Sequence, residues 1–221
     1  MDGYIRICDV EKYYGNGSNV TKAVDRVRFH VEQGEFVGVM GASGSGKTTL
    51  LNIIGGLYAP TEGSVTVDGT DFSRLNDDEL TIFRRRNIGF VFQGYHLVPE
   101  LTVEENILFP LALDNLRPDR AYLLALTGML GLTGRLKDYP YMLSGGAQQC
   151  VAIARAFITR PSIILADEPT GSFDIRTSQN ISGMMKTVTE SFRQTLILIT
   201  HNPELAQLAD RVIQMKDGRI I

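Results

Sequence analysis

The segment Gly41-Ala42-Ser43-Gly44-Ser45-Gly46-Lys47-Thr48 constrains this chain more than any other. It follows a continuous apolar run, Phe36 to Met40, and precedes a stretch of helical composition, Lys47 to Gly55, so it reads as strand, glycine-rich loop and helix. That order is the context a phosphate-binding P-loop requires, and together with the spacing it separates the segment from an ordinary glycine- and serine-rich turn. The glycines let consecutive backbone N–H groups turn toward phosphate oxygens. Lys47 supplies a point charge to the β and γ phosphates, and Thr48 offers a hydroxyl to Mg²⁺. Such a unit opens a parallel core.

The rest of the chain builds around it. Ile5 to Val10 and Ala23 to Val31 alternate apolar and polar residues as half-buried strands do, with Gly15-Asn16-Gly17 as a turn between them, so the N-terminal lobe starts antiparallel. Ser64 to Val67 and Ile88 to Phe92 are further strands, with a charged helix over Asp77 to Arg86 between them. From Gly94 to Arg160 there is no strand signal, and helical stretches are separated by Pro110, Pro118 and Tyr139-Pro140-Tyr141. Ser162 to Ala166 and Thr195 to Thr200 are solid apolar runs, as in strands buried on both faces, with a helix over Ser178 to Glu190 between them. Arg211 to Met215 and Arg219 to Ile221 close the chain around a Lys216-Asp217-Gly218 turn. The expected fold is α/β: a P-loop NTPase core of mostly parallel sheet flanked by helices, an N-terminal antiparallel β lobe, and an α-helical subdomain inserted at residues 94–160 of a single domain spanning 1–221.

Composition narrows the partners. A chain of 221 residues with 43% hydrophobic content buries a sizeable core. Its formal net charge of -3 gives no broad positive field, which argues against nucleic acid and makes any anion site local. Cys8 and Cys150 are too few for a disulfide framework and have no metal-ligand spacing to His30, His96 or His201, which suits a reducing compartment. Val151 to Ala166, the longest apolar candidate, is broken by Arg155, Arg160 and Pro161, and the residues around Asp2 and Arg6 lack the pattern of a signal peptide. The expectation is a soluble chain whose membrane contact goes through a partner.

A second motif carries chemistry. Ile163-Ile164-Leu165-Ala166-Asp167-Glu168 is a buried strand ending in adjacent carboxylates, at the end of a sheet where ligands sit. Side chains alternate along a strand, so the two acids cannot share a role. Asp167 is assigned to the Mg²⁺ shell and Glu168 to orienting and polarising the attacking water. Taken alone, the pair would serve as well at a helix N-cap.

With Phe92-Gln93, Leu143-Ser144-Gly145-Gly146, Gly171-Ser172-Phe173-Asp174 and Thr200-His201 added, the chain resembles the ABC ATPases over nearly its whole length. The resemblance implies that ATP is bound by Gly41, Ala42, Ser43, Gly44, Ser45, Gly46, Lys47, Thr48 and Thr49, and Mg²⁺ by Thr48, Gln93 and Asp167. Lys47, Gln93, Glu168 and His201 form the catalytic set, with Gln93 sensing the metal and the water and His201 contacting the γ-phosphate. Asp174 matches the loop that communicates across a dimer. Tyr14 falls where the family places an aromatic ring against adenine, with Tyr13 the second candidate by register.

Leu143, Ser144, Gly145 and Gly146 are the most diagnostic residues, since P-loop kinases and GTPases lack them. A serine and two glycines before Gln148 to Phe157 make a helix N-terminus suited to an anion. In this family the anion is the γ-phosphate on the opposite subunit, so the resemblance implies a head-to-tail dimer with itself or a homologous ATPase subunit. Two residues depart from the pattern: Ala147 stands for glutamine, and Cys150 for arginine. Ala147 cannot complete a capping box with Ser144, and Cys150 removes a positive charge from the helix.

Within the family, Gly41 to Gly46, Phe90-Val91-Phe92-Gln93, Leu101 to Asn106 and Ala166 to Gly171 are similar to the branch serving lipoprotein release, macrolide export and peptide-antibiotic resistance. That likeness implies integral membrane permease subunits as partners and a place on the inner face of the cell membrane. The segment Gly94 to Glu100, with Tyr95, Leu97 and Val98, serves either as the permease dock or as core. A soluble ABC ATPase of translation or repair is the other class considered. It is disfavoured because the chain shows one P-loop and no long coiled coil. A non-hydrolysing scaffold is disfavoured by the retained Lys47, Gln93, Asp167, Glu168 and His201.

Overall fold

A computed structural model describes residues 3–15 and 20–221, so Asn16 and Gly17 of the expected first turn lie outside the described residues. The chain divides into two compact units, Met1–Arg84 with Thr195–Ile221, and Arg85–Gln194.

The first unit opens with β1 (Ile5–Tyr14) and β2 (Thr21–Val31), paired antiparallel, and β4 (Glu62–Val67) lies on the other edge of β1. A short β5 (Thr70–Asp71) completes a four-stranded sheet in the order β2-β1-β4-β5. The sequence ends the first strand at Val10, whereas β1 runs on to Tyr14. The reason is a bulge. Cys8 and Asp9 are both exposed and Val10 and Glu11 both buried, so the period of two slips by one residue while the pairing continues. Asp9 adopts φ 49, and Gly63 opposite lies so close that a Cβ there would sit 2.4 Å from the Asp9 carbonyl oxygen.

In the same unit, β3 (Phe36–Met40) runs parallel to β8 (Thr195–Ile199) on one side and to β9 (Arg211–Lys216) on the other. Val37, Val39, Leu196, Ile197 and Leu198 are buried, as strands covered on both faces require. β9 returns antiparallel into β10 (Arg219–Ile220) across Asp217 and Gly218, both with positive φ, the conformation that two-residue hairpins favour. α1 (Lys47–Ile54) buries Leu50, Leu51, Ile53 and Ile54, and a four-residue α7 (Pro203–Ala206) follows β8. The sequence gives no signal for β5 or α7, since each is too short to show a period. α2 (Asp77–Asn87) is opened by Asn76 and Glu79, whose side chains accept from each other's backbone N–H.

The second unit holds β6 (Ile88–Phe92) and β7 (Ile163–Asp167), parallel and in register from Ile88 opposite Ile163 to Phe92 opposite Asp167. Between them come α3 (Val103–Leu113), α4 (Arg120–Met129) and α5 (Gly145–Phe157), with one 3-10 turn at Pro140–Met142; α6 (Ile175–Phe192) follows β7. The expected break at Pro110 is not there, because α3 runs through it. Its Thr102–Glu105 capping box and its buried Val103, Ile107 and Leu111 outweigh the roughly 3 kcal/mol cost of an internal proline. α5 lies close over β6: a Cβ on Gly89 would be 2.3 Å from the Ala156 carbonyl oxygen. Among the described residues no helix is long and apolar enough to cross a membrane.

Candidate functional site

In the first unit the P-loop is shaped by two close backbone contacts. A Cβ on Gly41 would lie 2.1 Å from the Met215 carbonyl oxygen, and one on Gly46, at φ 96, would lie 2.0 Å from that of Ala23. Ser45 N–H donates to Ala42 O at 3.1 Å and Gly218 N–H to Ser45 O at 3.1 Å, so β9 and its hairpin turn hold the loop from outside. Gly44, at φ 77, faces open space, and Ala42, Ser43 and Thr48 are exposed. A cleft of about 390 Å³ lies over the loop, bounded by Gly44, Lys47, Thr48 and Thr49 on one side and by Lys22 and Asp217 on the other.

Two features fit this cradle to a polyphosphate. α1 begins at Gly46 with no side-chain cap, so its first-turn N–H groups point at whatever fills the cleft. Lys47 is buried, and its ammonium donates to Gly41 O and Ala42 O at 2.8 Å and to Ser45 Oγ at 3.3 Å. All three are neutral oxygens, and a buried cation resting on neutral partners is suited to an anion.

The two tyrosine candidates have different surroundings. The Tyr13 hydroxyl donates to Asp25 at 3.1 Å and its ring lies 4.9 Å from the Lys22 ammonium. The neighbouring Glu11 carboxylate, burial and Asp25 together hold the Tyr13 phenol far above its usual range. Tyr14, at the end of β1, is 43% exposed, and the Lys12 ammonium lies 5.5 Å from its ring centroid. His201 is exposed just after β8, in a turn fixed by Asn202, whose N–H donates to Thr200 Oγ1 and whose Oδ1 accepts from Glu204 N–H.

In the second unit Asp167 ends β7 and Glu168 follows at φ 46, a left-handed conformation uncommon for a residue with a side chain. The turn closes with Gly171 N–H donating to Glu168 O at 3.0 Å. A Cβ on Gly171 would lie 3.1 Å from Gln93 Nε2, so the Gln93 amide rests on this turn. Asp174 caps α6, accepting from Thr177 N–H at 3.0 Å and Thr177 Oγ1 at 2.7 Å, and those bonds hold its carboxyl below the usual range. This unit thus gathers Gln93, Asp167 and Glu168 around neighbouring turns. Among the described residues no three or more His, Cys, Asp or Glu side chains form a metal cage.

Ser144 is the N-cap of α5, its Oγ accepting from Ala147 N–H at 3.3 Å, and buried Leu143 anchors the approach. Ala147 has no side chain to return to Ser144, so the cap is half a capping box. Cys150 lies on the buried face of α5, and burial pushes its thiol up to about 11. With a disulfide-exchange reagent near pH 8, exposed Cys8 should react quickly and Cys150 only after unfolding, because the thiolate is the reactive form. Two fast thiols in the folded protein would place Cys150 elsewhere.

Two residues to which the sequence assigns no structural role secure the segment after Gln93. Asn106 donates its amide to Val98 O, Leu101 O and Thr102 O and accepts from Val98 N–H. The Arg155 guanidinium donates to Tyr95 O at 2.8 Å and His96 O at 2.6 Å. The available signal was a polar residue set within an apolar helical face.

A helix start without side-chain caps, armed with a buried lysine and set between two strands, places the chain among the P-loop nucleotide-binding proteins. The family profile described as ABC transporter matches residues 24–171. The chain is 42% identical over 223 residues to the lipoprotein-releasing system ATP-binding protein LolD of Geobacter metallireducens, covering 100% of this chain and 99% of that protein. It is 41% identical to the bacitracin export ATP-binding protein BceA of Halalkalibacterium halodurans, over 96% of this chain and 85% of the relative. Among solved structures it resembles the dimeric post-hydrolysis state of the ATP-binding cassette MJ0796, from Methanocaldococcus jannaschii, bound to ADP and Pi. That likeness has a TM-score of 0.86 and 41% identity, and covers 98% of this chain and 96% of the other. The chain belongs to the ABC transporter family.

Proposed function

We propose that this chain is the ATP-binding and ATP-hydrolysing subunit of an ABC transporter, dimerising around two ATP molecules and driving conformational change in a separate membrane permease. The observation that carries the reading is the uncapped start of α1 beside buried Lys47. Gly41 to Thr49 wrap the phosphates, Lys47 neutralises the outer ones, and exposed Tyr14 takes the adenine ring. Thr48, Gln93 and Asp167 offer the hydroxyl, amide and carboxylate oxygens that Mg²⁺ prefers, and bound Mg²⁺ would offset charge on the phosphates. Glu168 accepts the proton of the attacking water, Gln93 orients that water, and His201 steadies the γ-phosphate. Leu143 to Gly146 present the start of α5 to the nucleotide held by a second copy, or by a homologous subunit, and Asp174 answers across the seam.

The names of the relatives, lipoprotein release and bacitracin export, support a role in releasing or exporting a peptide, antibiotic or lipoprotein. The chain then works in the cytoplasm, held at the inner face of the membrane by its permease. Purified protein with Mg²⁺ and ATP should release phosphate at a specific rate that climbs with protein concentration, as a shared site demands. Lys47→Ala should weaken ATP binding and lower that rate by about 10²-fold or more, since it removes a charge aimed at the transferring group. Phosphate release equal in natural and Lys47→Ala protein would overturn the reading.

A further inference from the structure

The start of α5 is held by more than its cap. A Cβ on Gly145, the first residue of the helix, would sit 2.6 Å from Tyr95 Oη and 3.2 Å from Phe173 Cε1. The two rings lie nearly parallel, 12° apart with centroids at 6.2 Å. They come from different segments: Tyr95 two residues after Gln93, and Phe173 one residue before Asp174. Each segment is anchored in turn. Arg155 of α5 grips the carbonyls of Tyr95 and His96, while Phe173 N–H donates to Thr170 O and Ser178 of α6 donates to the same carbonyl. Arg155 lies ten residues beyond Gly145, about 15 Å along the helix, so the Tyr95 segment is tied to α5 at two separated points.

We propose that Tyr95 and Phe173 are positioning residues. They form an aromatic clasp on Gly145 that sets where the start of α5 stands and links its position to the segments bearing Gln93 and Asp174. All three residues are half-buried and pressed together at the surface of α5, so a shift of the helix start pushes on both rings and on the segments that carry them. The clasp rests on the proposed function, in which the start of α5 meets ATP held by a second copy of the chain. It acts on that shared seam and leaves the chain's own P-loop untouched.

The test uses Glu168→Gln protein with ATP and measures the dimer dissociation constant by sedimentation and the ATP affinity of the monomer by titration. Tyr95→Ala should raise the dimer constant by about tenfold or more while ATP affinity stays within about twofold, tenfold being about 1.4 kcal/mol. Gly145→Ala should weaken dimerisation to a similar degree. Adding Tyr95→Phe, which removes the Oη that the new Cβ meets, should restore dimerisation to within about threefold of Tyr95→Phe alone. That size complementation distinguishes the clasp from general destabilisation, and it holds even if Tyr95→Ala folds poorly. A Gly145→Ala defect that Tyr95→Phe does not relieve overturns the proposal, as does an ATP affinity that falls in step with dimerisation. A parent that stays monomeric with ATP overturns the proposed function and the clasp together; a dimerising parent with an unrelieved Gly145→Ala overturns the clasp alone.

Discussion

Glu168→Gln should slow ATP turnover by about 10² to 10⁴-fold while leaving ATP bound, the usual loss when a positioned base is removed. The substitution is nearly isosteric. The turn that closes from Gly171 N–H to Glu168 O uses the backbone, so it survives the change. The left-handed conformation at Glu168, φ 46, is a strain that glutamine bears as readily as glutamate, so the fold should hold and only the proton-accepting oxygen is lost. Single-turnover phosphate release, with ATP affinity measured in parallel, checks the split. A rate within a few fold of the natural chain would remove Glu168 from the chemistry.

Ser144→Arg should abolish hydrolysis without unfolding the protein. Ser144 is exposed at the start of α5 and its single capping bond is long, 3.3 Å, so its loss costs about 1 kcal/mol of helix stability. The effect on rate should be far larger. In the proposed seam, arginine sets a bulky side chain over the N–H groups that would meet the partner's nucleotide, and losing donors preorganised for a developing charge costs roughly 10³-fold in rate. ATP binding by the variant's own P-loop should persist, because Lys47 and α1 lie in the other unit of the chain. Thermal melting within a few degrees of the natural protein together with absent phosphate release is the expected pair. Retained hydrolysis would mean that the start of α5 has no part in the site.

The elements legible in the sequence are those whose physics is local. β3 and β6 end where expected because their apolar runs stop at a glycine-rich loop and at Gln93. The P-loop and the Asp167-Glu168 strand end are contiguous, so residue type and order alone locate them at the ends of β3 and β7. What the sequence misplaced depends on contacts from elsewhere. The bulge at Asp9 becomes visible only with Gly63 pressed against it, and Pro110 stays within α3 because Ile107 and Leu111 are buried on either side of it. Tyr95, Phe173 and Gly145 read separately as loop residues and a helix start; their meeting belongs to the fold. At Cys150 a charge read as missing from the first turns of α5 belongs to a position on the buried face of that helix.

In the proposed mechanism ATP joins two copies of this chain. Sedimentation of Glu168→Gln protein with and without ATP tests it most directly, since slow turnover preserves the nucleotide-bound form. A monomer of 24.4 kDa without nucleotide that converts to twice that mass with ATP is expected. A mass that ATP leaves unchanged, whether monomer or dimer, would contradict it.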